Sequence, residues 1–278
     1  MSENDSTAPS ADTNASEDQS LNIREPPRIL IPVEVIKGES ISESVVEFLA
    51  PAEIVLLGYH VLPEQTPTEQ ASMQFEDRAQ EAIEDIASIF REAGREVETR
   101  VAFTHNRNQT VERVAAEMGA TAVLLPNPAG RIEDVVVPLR GAIDVGRVTD
   151  LVATLLSGRE ATVKLWGIST ATGQFDPEAA VEDARGQLIG RGLPAEQITT
   201  EVSEVETPIY EIVDRSGEFD LIVMGAGGSS LLTFLFGDPS ERIAEGAVEP
   251  VLVVRNREPE EETESGQEEQ EIESGQGE

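Results

Sequence analysis

The part of the chain best suited to binding chemistry is a glycine-rich stretch in its last quarter. It runs from Met224 through Gly225, Gly228 and Gly237 to Asp238. Glycines between a strand and a helix let backbone N–H groups approach an anion closely, and the helix dipole adds to the attraction. The residue types and their order therefore predict a phosphate-binding loop.

The flanking sequence predicts the elements that position this loop. The run 219–224 is apolar throughout, which is typical of a buried strand in a parallel sheet. Asp238 and Pro239 supply an N-cap and a proline at the first helical position, so a helix is expected to begin there. Pro250 ends that helix, and residues 251–254 predict another buried strand.

Strand-like and helix-like segments alternate over residues 28–256, which predicts an α/β fold with doubly wound, mostly parallel strands. The predicted strands lie at 28–34, 53–61, 96–104, 121–126, 131–140, 161–169, 197–205, 219–224 and 251–254. The predicted helices before the glycine-rich stretch lie at 40–49, 73–92, 110–118, 143–156, 176–191 and 207–216.

The sequence also predicts a tandem repeat. The aliphatic run at 131–140 is broken by a proline, like the run at 28–34, and the same order of elements follows each. We expect a degenerate first domain at 28–130, which lacks its last helix and strand, and a complete second domain at 131–256. The acidic tails at 1–27 and 257–278 contain few aliphatic residues and are predicted to be disordered.

Composition excludes several classes of function. The formal net charge of the 278 residues is -34, which disfavours binding to nucleic acid or anionic lipid. The tails carry -5 and -9, which leaves -20 on residues 28–256. Only Lys37 and Lys164 are lysines, and this arginine bias with high acidity predicts a halophilic protein. No apolar run approaches the roughly 20 residues of a membrane span, so we expect a cytoplasmic protein without membrane insertion.

Other reactive residues do not form a convincing catalytic or metal site. There are no cysteines, and His60 and His105 have no partners at ligand spacing, so no metal is expected. Ser229 follows a glycine pair but lacks the Gly-x-Ser-x-Gly pattern and a suitably placed histidine. Arg107 and Arg131 are predicted at strand ends, where they could clamp a phosphate. The sequence therefore predicts a protein that is not an enzyme.

The glycine-rich stretch and the strands around it resemble the universal stress protein family in its tandem form, over about residues 28–255. The resemblance rests on Asp-Leu-Ile-Val-Met-Gly-Ala-Gly-Gly at 220–228 and on Glu-Pro-Val-Leu-Val-Val-Arg at 249–255. It implies two doubly wound domains that are adenine nucleotide alpha hydrolase-like in fold, and a stress-response or regulatory function. In nucleotide-binding members, a Gly-x-x-Gly, nine residues and a Gly-Ser or Gly-Thr hold the phosphates of ATP, and an Asp after strand one lies near the adenosine.

This chain departs from that pattern at three places. Only eight residues separate Gly228 from Gly237, and Asp238 replaces the Ser or Thr that donates to phosphate. Arg140 in the second half and Glu34 in the first stand where the family has the Asp. A carboxylate at position 238 repels phosphate unless a divalent cation bridges the two groups.

Two interpretations of the second domain therefore stay open. In one, it binds ATP or AMP, with Mg²⁺, through the six residues Arg140, Met224, Gly225, Gly228, Gly237 and Asp238. In the other, it has no cofactor and is an interaction module that regulates an unknown protein partner, such as a membrane transporter. Because domains of the family pair through the fifth strand and the first half lacks one, the resemblance also implies a homodimer through Pro250–Arg255.

Overall fold

The structure is a computed structural model, and it describes residues 26–226 and 249–256. Strands and helices alternate along the described chain, as predicted. The strands are β1 (Arg28–Glu34), β2 (Glu53–Val61), β3 (Val97–Thr104), β4 (Ala122–Leu125), β5 (Asp134–Leu139), β6 (Thr162–Ser169), β7 (Ile198–Glu204), β8 (Leu221–Gly225) and β9 (Val251–Val254). The α-helices are α1 (Glu43–Phe48), α2 (Thr68–Glu92), α3 (Arg107–Glu117), α4 (Val145–Leu156), α5 (Pro177–Gly190) and α6 (Pro208–Asp214).

All the strands belong to one nine-stranded sheet, in the order β3-β2-β1-β4-β9-β8-β5-β6-β7. Every neighbouring pair is parallel except β4 with β9. The two halves repeat each other. In each half the first strand lies between the second and the fourth, and the third lies outside the second, which gives β3-β2-β1-β4 and β7-β6-β5-β8. The mostly parallel α/β fold with two similar halves is therefore confirmed.

The two halves are joined by β9, which has a neighbour on each edge. It pairs in parallel with β8, from Ile222 opposite Val251, and antiparallel with β4, from Ala122 opposite Val254. The position that a fifth strand of the first half would fill is therefore occupied by the fifth strand of the second. The predicted homodimer through Pro250–Arg255 is wrong, because the backbone edge that a second chain would need is already paired with β4.

The repeat extends to single residues at the ends of the strands. Pro32 in β1 lies opposite Leu57, and Pro138 in β5 lies opposite Trp166. One residue further along, a glycine of the neighbouring strand follows in each half, namely Gly58 and Gly167. Both glycines lie against a helix, since an added Cβ would lie 3.3 Å from Ile83 Cβ of α2 at Gly58 and 2.7 Å from the Pro177 carbonyl oxygen of α5 at Gly167.

The core lies on both faces of the sheet and is shared by the two halves. α2 buries one apolar face, with Ala79, Ile83 and Phe90 each 0% exposed. α5 is capped by Asp176, whose side chain accepts a hydrogen bond from the Ala179 N–H. By contrast, Thr207 precedes α6 without a side-chain capping hydrogen bond.

Candidate functional site

β5 and β8 are paired only near their amino ends, and the gap between their carboxyl ends is called the crevice below. β5 pairs with β6 from Asp134 to Leu139, but with β8 only at Val135 and Val136. The two strands are therefore not paired near their carboxyl ends. In doubly wound sheets, ligands bind outside the carboxyl ends of strands at this kind of switch point.

Three of the predicted site residues lie at this crevice. Arg140 follows β5 directly and is half-buried, while Met224 and Gly225 are the last residues of β8 and are buried. Gly228, Gly237 and Asp238 lie outside the described residues, so their role in a site stays a prediction. The structure thus brings together the cationic group and the start of the glycine-rich stretch, on opposite sides of one crevice.

The packing around Gly225 explains why this position is glycine. An added Cβ would lie 3.0 Å from Ile143 Cβ and 3.4 Å from Val148 Cγ2, at the start of α4. This spacing is tighter than ordinary van der Waals contact, so the end of β8 approaches α4 only because there is no side chain. Close packing accounts for this glycine without any bound ligand.

The entrance to the glycine-rich stretch is held in place by the strand beside it. The Ala226 N–H donates to the Val254 carbonyl at 2.7 Å, and the Asn256 side-chain amide donates to the Ala226 carbonyl at 2.8 Å. Both polar groups of the Ala226 backbone are therefore satisfied by β9 and the residue pair after it. As a result, the direction in which the chain leaves β8 is fixed up to Ala226.

The corresponding end of the first half has the opposite charge. Glu34 ends β1, and its side chain is only 6% exposed. Its carboxylate lies 2.8 Å from Lys37 Nζ and 3.7 Å from His60 Nδ1, and its backbone N–H donates to the Glu39 carboxylate at 2.8 Å. The residues after β1 therefore fold back over the strand end and neutralise Glu34 from within the chain.

Sequence reasoning missed the ion pair between Glu34 and Lys37. The available signal was that Lys37 is one of only two lysines and lies three residues after an acid in the position equivalent to Arg140. His60 lies beside this pair, with the rings of Phe75 and Phe103 edge-on to it at 6.0 and 6.4 Å between centroids. The first half thus has an internally closed strand end, whereas no described residue makes a salt bridge with Arg140.

Two arginines, Arg107 and Arg131, were predicted at the strand ends where ligands bind. The structure confirms that position for Arg107, but the position predicted for Arg131 is wrong. Arg107 begins α3 beyond the carboxyl end of β3, where its guanidinium lies 5.0 Å from the Tyr59 ring centroid. Arg131 precedes β5 and therefore lies at the amino edge of the sheet. It borders a cleft of about 300 Å³ between the two halves, which contains none of the predicted site residues.

A charged network lies on the face of the second half that α6 covers. Arg215 forms hydrogen bonds to Glu201 and Glu218, and its guanidinium lies 4.3 Å from the Trp166 ring centroid. Trp166 is 1% exposed and donates to the Ser203 hydroxyl at 2.8 Å, so it is part of the core. The Arg215 hydrogen bonds lower the pKa of the Glu201 and Glu218 carboxyls and raise the pKa of Arg215.

We expect Glu201→Gln to lower the free energy of unfolding at neutral pH by about 1–2 kcal/mol, because it replaces charge-assisted hydrogen bonds. A carboxyl whose pKa is lowered by folding stabilises the protein above its unfolded-state pKa and stops doing so as the pH falls through the folded value. The difference from the parent should therefore shrink below the ordinary value of 4.5.

Urea unfolding of both proteins at constant salt, at about pH 7 and about pH 3.5, measures this difference. Glu204→Gln is the matched control, since Glu204 is an exposed residue of the same strand. It should change the stability by no more than about 0.5 kcal/mol. A difference for Glu201→Gln that stays constant into acid would contradict the proposed role of the ionised carboxylate.

The comparison with known families decides the origin of the second half. Residues 152–255 match the model of the universal stress protein family. This part of the chain is similar to that family. The match begins in α4 and ends after β9, so it includes the whole glycine-rich stretch. No curated protein sequence matches the chain.

One solved universal stress protein has a similar fold, and two further structures align less closely. A universal stress protein from Archaeoglobus fulgidus DSM 4304 aligns with a TM-score of 0.57 and 15% identity, over 83% of this chain and 97% of its own. A Pseudomonas aeruginosa UCBPP-PA14 protein assigned to the same family aligns with a TM-score of 0.45 and 16% identity, over 82% and 92%. A universal stress protein in complex with cAMP aligns with a TM-score of 0.34 and 21% identity, over 46% and 98%.

Among residues 26–226 and 249–256, no helix combines the length and apolar character that crossing a membrane requires. The same residues contain no group of three or more His, Asp or Glu side chains arranged to hold a metal ion.

Proposed function

We propose that this chain is a regulatory protein that binds one adenine nucleotide, ATP or AMP, at the crevice of its universal stress protein domain. The observation that supports this most directly is the position of Arg140 across the crevice from Gly225. A guanidinium is well suited to a phosphate because it can donate two parallel hydrogen bonds. The cationic group and the predicted phosphate loop would then hold the ligand from opposite sides.

The binding stoichiometry follows from the difference between the two halves. The equivalent strand end in the first half carries the buried carboxylate of Glu34, which would repel a phosphate and is already paired with Lys37. The chain also passes from β4 to β5 without a glycine-rich stretch. We therefore infer one nucleotide per chain, bound in the second half.

Asp238 sets a condition on this binding. Its carboxylate would oppose the phosphates directly, so Mg²⁺ is expected to bridge the two groups. Met224, Gly225, Gly228 and Gly237 would supply backbone contacts rather than side-chain chemistry. The described residues offer no candidate general base at the crevice, and the proposed role is accordingly binding without hydrolysis.

We expect Arg140→Ala to weaken Mg-ATP binding about tenfold or more, because a charge-assisted contact to phosphate contributes about 1.5–3 kcal/mol. Isothermal titration in roughly 2 M salt measures the affinity while long-range repulsion is screened. Arg131→Ala is the matched control, since it removes the same side chain at the opposite end of the same strand.

Asp238→Ser should strengthen binding if the carboxylate is what limits it. AMP and cAMP are titrated alongside.

A second candidate function is a nucleotide-free interaction module that docks to a protein partner, such as a membrane transporter. The packing of Gly225 against Ile143 favours it, since that glycine is needed without any ligand. Denaturing the purified protein and analysing the released small molecules separates the two functions. Release of no nucleotide, together with no heat of Mg-ATP binding in high salt, would leave the interaction module as the better account.

A further inference from the structure

The outer edge of β3 is open among the residues that the structure describes. β3 is the last strand of the sheet and pairs with β2 along its whole length. The Thr104 carbonyl accepts from the Leu62 N–H at 2.8 Å, so Thr104 directs its backbone groups toward β2. Because these groups alternate along a parallel strand, those of Val97, Thr99 and Val101 point away from the sheet. Such an edge is a template for another strand.

The side chains of β3 carry both signs of charge. Glu98 and Arg100 lie on one face of the strand, where they form an exposed salt bridge of 2.6 Å. Val97 and Val101 lie on the other face and are partly buried against the core. The strand contains no proline. β3 is therefore an edge strand with backbone groups available and with complementary charges two residues apart.

The opposite edge of the sheet is poorly suited to pairing with itself. β7 carries Glu201 and Glu204 and no basic residue. Glu201 is already committed to Arg215 and Lys164. Two copies of β7 side by side would have no basic residue of the strand to place opposite Glu201 or Glu204, so they cannot form cross-strand ion pairs. Of the two edges, only β3 can place opposite charges across a two-fold axis.

We propose that two copies of the chain associate through β3, antiparallel about a two-fold axis at Thr99, to form one continuous sheet. Thr99 then lies opposite Thr99 of the second copy, and Val97 lies opposite Val101. These are outward-pointing residues, so they exchange about six backbone hydrogen bonds. Glu98 of each copy lies opposite Arg100 of the other, which gives two complementary cross-strand ion pairs.

The charges select this register over its neighbours. After a shift by one residue, the outward backbone groups of β3 in one copy lie opposite residues of the other copy whose backbone groups are already bonded to β2. The hydrogen bonds between the copies are then lost. A shift by two residues in one direction places Glu98 opposite Glu98, and in the other direction it places Arg100 opposite Arg100. Like charges directly opposite each other are destabilising. The register with Thr99 on the axis satisfies both the backbone and the side chains.

Salt should control this association. Each copy carries a formal net charge of -34, so two copies repel each other at long range in dilute buffer. At roughly 1–3 M salt the Debye length is about 3 Å or less, which screens this repulsion but leaves contacts inside the interface largely unchanged. The dimer is therefore expected in high salt, and it should dissociate as the salt is removed.

Charge exchange at the interface tests the proposal. In high salt, sedimentation equilibrium of the full chain should give twice the monomer mass of 30.0 kDa. Glu98→Arg and Arg100→Glu should each raise the dissociation constant by about tenfold, since like charges then face each other at two exposed positions that high salt partly screens. The double variant E98R/R100E should dimerise again. A mixture of the two single variants should form heterodimers, because every cross-strand pair is then opposite in charge.

Blocking the backbone gives an independent test. Thr99→Pro removes an outward N–H at the axis and should abolish the dimer, while Thr200→Pro, at an outward position on the other edge strand, should not. Unchanged melting temperatures verify that each variant is folded. A chain that stays monomeric in high salt overturns the proposal, whether or not residues 1–25 cover the edge. A dimer that is insensitive to both the charge variants and Thr99→Pro overturns it as well.

Discussion

A chain that ends at Glu249, and so lacks β9, should show no cooperative unfolding transition, whereas a chain that ends at Asn256 should unfold cooperatively. The second truncation removes residues 257–278 and keeps β9. Both lose acidic residues of the C-terminal tail, so the difference between them reports the strand. Circular dichroism during thermal and urea unfolding in high salt measures it.

The expected effect is large because β9 contributes to both halves. Val251, Leu252, Val253 and Val254 are at most 2% exposed. Burying a Val or Leu side chain stabilises a fold by about 1.5–3 kcal/mol, so these four contribute roughly 6–12 kcal/mol. That is comparable to the whole stability of a typical domain, about 5–15 kcal/mol. Without β9, the edges of β4 and β8 would also lose their hydrogen bonds.

This prediction separates two views of the chain. If the halves were independent domains, the chain ending at Glu249 would keep a folded first half and show one transition of reduced size. Such a result would contradict the role of β9 as a shared strand. The shared core predicts instead that the far-UV spectrum loses its native shape and that no part of the chain melts cooperatively.

Gly167→Ala should lower the free energy of unfolding by roughly 2–4 kcal/mol, the cost of overpacking a rigid site. The added Cβ would lie 2.7 Å from the Pro177 carbonyl oxygen and 2.9 Å from Val181 Cγ2. A backbone oxygen cannot rotate away as a side chain can, so α5 would have to move from the sheet. Chemical unfolding in high salt measures the change.

The control for Gly167→Ala is Gly186→Ala, which should have the opposite sign. Gly186 is an exposed residue of α5, and an added Cβ there would meet nothing within 4 Å. Alanine favours a helix interior over glycine by about 0.5–1 kcal/mol, so this variant should be more stable than the parent. Gly58→Ala should lie between them, since the contact closest to its Cβ, at 2.9 Å, is the Val35 side chain. If Gly167→Ala proves neutral, the packing account of the glycine repeat is wrong.

The elements of the fold were readable from the sequence because each has a local cause. β1 and β2 were predicted at their observed bounds, since each is a mostly apolar run that begins at a charged residue, Arg28 or Glu53. The helix predicted at 176–191 is observed as α5, which begins at Pro177, and Asp176 caps it by accepting a hydrogen bond from the Ala179 N–H. Patterns of this kind depend on neighbours in the chain, and these are visible without coordinates.

The pairing of β9 could not be predicted in the same way. Val251–Val254 is apolar at every position, so it has no alternation from which a partner or direction could be inferred. Its contact with β4 joins residues more than a hundred positions apart, such as Ala122 and Val254. The sequence indicated that the first half lacked a strand. The resemblance to a family whose domains pair through the fifth strand then predicted that β9 would pair with another chain, whereas it pairs with β4 of the same chain.

The candidate site likewise has parts that could be predicted from the sequence and a part that could not. Arg140, Met224 and Gly225 were predicted from their place at strand ends, and the structure puts them at one crevice. Glu34 was recognised as the counterpart of Arg140, but its closure by Lys37 was not, because it depends on how the chain folds back after β1. The charge reversal between equivalent positions is what turns a repeated fold into a chain with one candidate site.

The central position of β9 also governs how this protein is made. At a synthesis rate of about 5–20 residues per second, β9 leaves the ribosome roughly 6–25 seconds after β4, which is its partner in the sheet. During that time the apolar strand β4 has one unpaired edge. Once β8 has been synthesised, it also has one edge that stays unpaired until β9 is available. The two halves of the sheet therefore cannot be joined until β9 has been synthesised.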